Sequence, residues 1–234
     1  MLASIPVRLL LSPILIAQAL RTRHLALELP EAGGPRQGRI GHGPNLRVLI
    51  AGDSSAAGVG VDHQSEALSG QLVAALAQDF TVSWQLEAAT GATTAQTLAR
   101  LRALKAQPFD VAVTALGVND VTRQVPLRRW LADQAAISAL MVSRFGVQGH
   151  WRSGLPPMGR FPLLPRPLRD VVGAQARAFD AALMQASTGP LRHLRFDESL
   201  LEPAMMARDG FHPGAPIYAA WGRELAQEIR AEFA

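Results

Sequence analysis

From residue 46 onward the chain alternates, five times over, a short apolar run with a segment of helical period, and small residues mark the changes of pattern. That alternation constrains the fold more than any other feature. The runs at residues 47–51, 80–87, 109–116, 146–153 and 191–196 read as strands, and the second alternates, with Phe80, Val82, Trp84 and Leu86 on one face. Between and after them, apolar residues recur at helical spacing. Ser65 is placed to cap a helix through about Gln78, and Thr93 or Thr94 begins one that carries Leu98, Leu101 and Leu104. Pro126 lies near the start of a helix ending near Phe145, and two more cover about residues 168–186 and 215–233. Right-handed crossovers would put each helix on a face of a parallel sheet. The expected class is therefore α/β: a three-layer α/β/α sandwich around a five-stranded parallel sheet.

With 234 residues and no break in composition, one folded domain is expected, over residues 46–234. Residues 28–45 hold Gly33, Gly34, Pro35, Gly38, Gly41, Gly43 and Pro44 and read as a connector. Residues 1–27 differ in character, because residues 2–20 are mostly apolar, broken by Arg8 and Pro13, and followed by Arg21, Arg23 and His24. Three readings are open. Ala17-Gln18-Ala19 can serve as a signal-peptidase site, but little positive charge precedes the apolar run. A spanning helix would carry an arginine and a proline in a barely sufficient length. A helix lying on a membrane surface, or packed on the domain, fits best, and gives peripheral membrane contact through residues 1–20. Localisation in the cytoplasm or at the inner membrane is preferred on this reading, with export as the alternative.

Chemistry is bounded by what the chain lacks. Without cysteine there is no disulfide, thiolate nucleophile or cysteine-ligated metal. His24, His42, His63, His150 and His193 share no ligand spacing, so no metal site is expected. Gly58-Val59-Gly60 lacks the lysine or the third glycine of a nucleotide loop. The net charge of +4 is carried almost wholly by scattered arginines, Lys105 being the only lysine, and no aromatic-interleaved basic run points to nucleic acid.

Four turns at strand ends hold reactive residue types: Ser54, Gly91, Asn119, and the run Asp209-Gly210-Phe211-His212. In a parallel sheet such turns share one edge. A serine hydroxyl needs a base to take its proton, for which His212 is placed; Asp209, three residues earlier, can hold the far ring nitrogen. The backbone N–H groups of Ser54 and Gly91 and the side-chain amide of Asn119 can supply three donors to an oxyanion.

Taken together, these blocks resemble the SGNH hydrolases, the GDSL esterase/lipase family. Gly52-Asp53-Ser54 is similar to the nucleophile block, Gly91 to the glycine block, Gly117-Val118-Asn119-Asp120 to the G-x-N-D block and Asp209 to His212 to the D-x-x-H block. They occur in the family's order and span residue 46 to the C-terminus. Ser55 departs from the leucine in the family's name. The resemblance implies a flavodoxin-like sandwich and a serine hydrolase cleaving carboxylic esters without a cofactor. Its catalytic set would be Ser54, Asp209 and His212, with an oxyanion hole of Ser54, Gly91 and Asn119. Short or medium acyl esters, thioesters, lysophospholipids and acetylated sugars all lie within the class, so the implied partner is a small-molecule or lipid ester. The alternative from another class is a membrane-surface binding protein on an inactive hydrolase scaffold. Five prolines between residues 154 and 167 accompany Met158, Phe161 and Leu163, and two readings stand for this loop: an acyl or alkyl pocket, or a rigid crossover packed on the core.

Overall fold

A computed structural model describes residues 10–233. Its centre is strand β2 (Asn45–Gly52), which is buried from Val48 onward and pairs in parallel with β3 (Thr81–Ala88) on one side and β4 (Val111–Ala115) on the other. Beyond β4 lie β5 (Gly149–Ser153) and β6 (Leu191–Leu194), also parallel. Buried on both faces, β2 and β4 read as continuous apolar runs, as strands of a covered parallel sheet do. The chain goes from β2 to β3 and then crosses back to β4, so the strand order reverses at β2. Ligand crevices in open α/β sheets form at such a reversal.

Alternate side chains of β2 enter different cores. Leu46, Val48 and Ile50 pack with α2 (Leu68–Leu76) and α7 (Ala215–Phe233). Leu49 and Ala51 meet Leu98 and Leu101 of α3 (Thr94–Ala103) and Ile137 and Met141 of α5 (Leu127–Phe145). Helix α6 (Leu168–Gln185) lies beside α5, where Trp130 and Phe179 stack at 4.6 Å. The three-layer sandwich is as expected.

The sheet itself differs from expectation by one strand. Gln37–Ile40 forms β1, antiparallel to β3, so the sheet is mixed and six-stranded rather than purely parallel with five. All of β1 is exposed and it joins through its backbone ladder, so no alternation of apolar residues announces it within a Gly-rich connector. Two helix starts also shift. Ser65 Oγ bonds His63 Nδ1 at 2.9 Å instead of capping, and α2 begins three residues later; the turn expected at residues 117–120 continues as the short helix α4 (Val118–Thr122).

Helix α1 (Ser12–Leu25) has no buried residue; Gln18 fastens it to the domain, donating to Arg166 O at 2.7 Å and accepting from Leu168 N at 3.1 Å. Among the described residues no helix is long and apolar enough to cross a membrane, and the expectation for residues 1–9 lies outside them.

Helices α2 and α7 meet at Gly222, where a Cβ would lie 2.7 Å from Gln71 Cβ and 2.8 Å from Leu72 N. Because backbone stands in the way, the helices must part to admit one. Gly222→Ala should lower stability by about 1–3 kcal/mol, read as a lower urea midpoint at unchanged slope; an unchanged midpoint would show that the helices separate at no cost.

Candidate active site

Strand β2 ends at Gly52, where a Cβ would stand 2.5 Å from Ala115 O and 2.6 Å from Ala56 Cβ, so the chain can leave the sheet here only as glycine. Asp53 N then donates to Ala115 O at 3.2 Å and Ser54 emerges at the strand's C-terminal end, 7% exposed. His212 comes from the loop ahead of α7, and its Nε2 lies 2.9 Å from Ser54 Oγ. Its Nδ1 lies 2.5 Å from Asp209 Oδ2. Asp209 uses its other oxygen, Oδ1, to accept the backbone N–H groups of Phe211 at 2.9 Å and His212 at 3.0 Å. One carboxylate thus shapes the turn and holds the ring that the turn carries. The network assigns the tautomer: Nδ1–H donates to Asp209, and Nε2 is left to accept the serine proton.

Burial pushes the Asp209 carboxyl up, but the hydrogen bonds from the His212 ring and from the two backbone N–H groups, with the charge of His212, outweigh it and hold the group below the usual range. Asp209 therefore stays ionised beside the imidazole. Its contribution to stability is present above the ordinary Asp range and is lost as pH falls through the lowered folded value.

Gly91, with φ +73°, turns the chain after β3. Its carbonyl accepts Arg123 Nη2 at 2.8 Å, and the preceding Thr90 donates through N and Oγ1 to Glu31 Oε1 at 2.7 and 2.8 Å. Asp120 accepts from Thr94 N and Oγ1 at the start of α3, tying the same loop to the segment that carries Asn119. Among the described residues the backbone N–H groups of Ser54 and Gly91 have no acceptor. The Asn119 amide donates to Asp53 Oδ2 and Ala92 O, both at 3.2 Å, long bonds that an incoming oxyanion would compete with. Asp53 also accepts Ser55 N and Oγ. Burial raises its carboxyl above the usual range despite those bonds.

A cavity opens from Ser54 and His212 toward the β5–β6 side of the sheet edge. Phe161 is in its wall, with Leu116, Leu155, Leu201, Met206 and Phe211. Met158 and Leu163, expected there, are not. Met158 is fully buried in the core cluster that includes Phe179 and Ala176 of α6, and Leu163 spends its backbone N–H on Gly210 O at 3.2 Å without reaching the cavity. Much of the wall comes instead from the irregular stretch after β6 and from α7, which contribute Phe196, Leu201, Met206, Phe211 and Trp221. The signal was present in the sequence: large apolar residues recur there without strand or helix period. Among the described residues no three His, Cys, Asp or Glu side chains gather as a metal-ligand set.

The sequence profile described as the GDSL-like lipase/acylhydrolase family matches residues 50–220. No curated protein sequence matches the chain. Among solved structures, the chain is similar to the psychrotrophic esterase EstA from Pseudoalteromonas sp., solved with monoethylphosphonate as inhibitor: 17% identity, TM-score 0.59, covering 79% of this chain and 97% of that one. The lipase Lip_vut3 from a goat rumen metagenome gives 16% identity and TM-score 0.59 over 78% of this chain and 96% of that one. Est24, a carbohydrate acetylesterase from Sinorhizobium meliloti, gives 14% identity and TM-score 0.58 over 80% and 100%. At these identities the likeness is one of fold.

The short Asp209–His212 contact generates a spectroscopic expectation. The Nδ1 proton of His212 should give a far-downfield, slowly exchanging ¹H resonance, because a charge-assisted bond in a water-poor site deshields it. Asp209→Asn should abolish that resonance while the protein remains folded; a spectrum without it in the wild type would mean that the ring is not held as described.

Proposed function

We propose, because the chain belongs to the GDSL-like lipase/acylhydrolase family and is a carboxylic ester hydrolase, that it cleaves short or medium acyl esters through an acyl-enzyme on Ser54. The observation that carries this reading is the unbroken chain from Ser54 Oγ to His212 Nε2 (2.9 Å) and from His212 Nδ1 to Asp209 (2.5 Å). His212 takes the serine proton as Oγ attacks the ester carbonyl, and the ionised Asp209 stabilises the imidazolium. The oxyanion is met by the N–H groups of Ser54 and Gly91 and by the Asn119 amide. Collapse breaks the bond to the alkoxide, which leaves with the proton from His212. Water then repeats the attack on the acyl-enzyme, giving up a proton to His212, and the second collapse returns that proton to Ser54 and frees the acid. No step draws on a cofactor.

Thioesters, lysophospholipids and acetylated sugars undergo the same sequence of steps, and the acetylesterase from Sinorhizobium supports the last as a variant. The contrary reading, a binding protein on an inactive scaffold, would require a broken triad or an occluded serine, and Ser54 lines an open cavity. Ser54→Ala should reduce kcat by about 10⁴-fold or more and abolish labelling by a serine-reactive phosphonate, with an unchanged melting curve. Wild-type turnover in a folded Ser54→Ala protein would overturn the assignment.

The division into residues 1–27, a connector of residues 28–45 and a hydrolase domain of residues 46–234 belongs to the same proposal, with β1 and Glu31 packing the connector into the domain. So does peripheral contact with a membrane through residues 1–20. Its support is the outer arc of α1. Leu11, Leu15, Gln18 and Thr22 form the half-buried stripe toward the domain, whereas Ile14, Ile16 and Leu20 are 50–63% exposed and Arg21, Arg23 and His24 follow them with no acid among residues 10–27. Each Ile or Leu buried in lipid contributes about 1.5–3 kcal/mol, and the arginines favour an anionic surface. The full-length protein should co-sediment with anionic vesicles, and Arg21→Glu/Arg23→Glu should weaken this while sparing turnover of a soluble ester; wild-type protein that stays in the supernatant would overturn the contact.

A further inference from the structure

The cavity that starts at Ser54 does not end at its own far wall. A second, much narrower crevice lies beyond, and the two share Ser153, Gly154, Phe196, Ile217 and Trp221. Trp221 and Phe196 are the two large side chains of this partition. Trp221 is rigidly held: its ring stacks on Tyr218 (centroids 6.4 Å apart, planes at 6°), and Tyr218 is fully buried with its hydroxyl donating to Val59 O at 2.8 Å. Phe196 is contributed by the stretch after β6. On the near side the lining is apolar apart from the reacting end and Ser153, whose buried hydroxyl has no partner among the described residues. On the far side Leu194 and Leu200 give way to Arg195, Asp197 and Glu224. Arg195, Asp197 and Glu224 are exposed, so this end opens to solvent.

The two halves of an ester have different needs at such a site. The alcohol must depart before water can attack, so a recessed, apolar space on its side would slow the cycle. The acyl group must instead stay seated through both steps, and an apolar space that opens at the serine retains it. Resting on the serine hydrolase reading above, we infer that the acyl chain lies in the cavity leading from Ser54 and that Trp221 and Phe196 set its maximum length, making this an acyl esterase with a defined chain-length cut-off. Neither residue touches the reacting atoms. They act as the stop against which the tail ends.

A p-nitrophenyl ester series of increasing acyl length tests this on the full chain. Each methylene that finds room should raise kcat/KM about 4-fold until the tail meets the partition, where the rise stops. In Trp221→Ala the two cavities merge, and the rise should continue about two or more carbons further before it stops. Phe196→Ala should move the break in the same direction and keeps the test available if the tryptophan variant fails to fold; Trp221→Phe should leave the break near its wild-type position. A break that stays in place in both alanine variants, with turnover intact, would overturn the inference. So would a break that moves along a series of alkyl acetates, in which only the alcohol lengthens, and not along the acyl series. Absence of turnover across every ester, together with absence of phosphonate labelling of Ser54, would instead remove the hydrolase reading on which the inference rests.

Discussion

Three hydrogen-bond donors converge on one buried carboxylate, and the rest of the site depends on it. Asp209 accepts two successive backbone N–H groups with one oxygen and the His212 ring with the other. Were the turn to relax, the ring would swing away from Ser54; were the ring to leave, the carboxylate would face burial with less compensation. Each half of the arrangement stabilises the other, which is how a loop without regular structure can hold an imidazole to the tolerance that proton transfer demands. The second anchor is β2, whose Gly52 lets Ser54 leave the sheet in contact with β4, so that Ser54 and Asn119 come from adjoining strand ends.

Around this centre the fold spends stability on buried polar groups. Burial drives the Asp53 and Asp120 carboxyls above their usual range, although both are hydrogen-bonded. These two acids hold Ser55, Asn119 and the first turn of α3, so the cost falls where the site needs rigid supports. A different buried group sits on β5: His150, between Thr114 Oγ1 and Ser138 Oγ, has its pKa lowered by burial and by Arg152 to about 3. It stays neutral in the fold, so its contribution is present above the ordinary histidine value and is lost as pH falls from there toward 3. The two histidines thus differ in surroundings: His150 is enclosed and neutral, while His212 faces a cavity with a carboxylate behind it.

The order of the chain made much of this legible. Five apolar runs alternating with helical segments specify a covered parallel sheet, because no other arrangement buries both kinds of periodicity with short connections. Residues 52–54, 91 and 117–120 follow strand ends in that arrangement, so their convergence on one edge follows from strand direction, whereas residues 209–212 lie 15 residues beyond the end of β6 at Leu194, and the irregular stretch between carries them to that edge. The edge strand β1 was not legible: it is bound by backbone bonds to β3, and backbone bonds leave no residue pattern. Nor was the start of α2, since His63 competes for the hydroxyl of Ser65.

The cavity shows where sequence stops and tertiary structure begins. Apolar residues in an irregular stretch can line a pocket or fill a core, and local sequence does not distinguish the two. Of the three expected in the proline-rich loop, Phe161 faces the cavity, Met158 is in the core beside α6 and Leu163 reaches neither. Trp221 looks from its spacing like any core position of an amphipathic helix, yet together with Phe196 from the stretch after β6 it lines both spaces beside the site. The sequence by itself determined the fold class, the strand ends and the residue types assembled there, because these follow from periodicity and chain direction. The shape of the space beside Ser54 was decided by tertiary structure, because a cavity is what several distant segments leave unfilled, and no one segment encodes it.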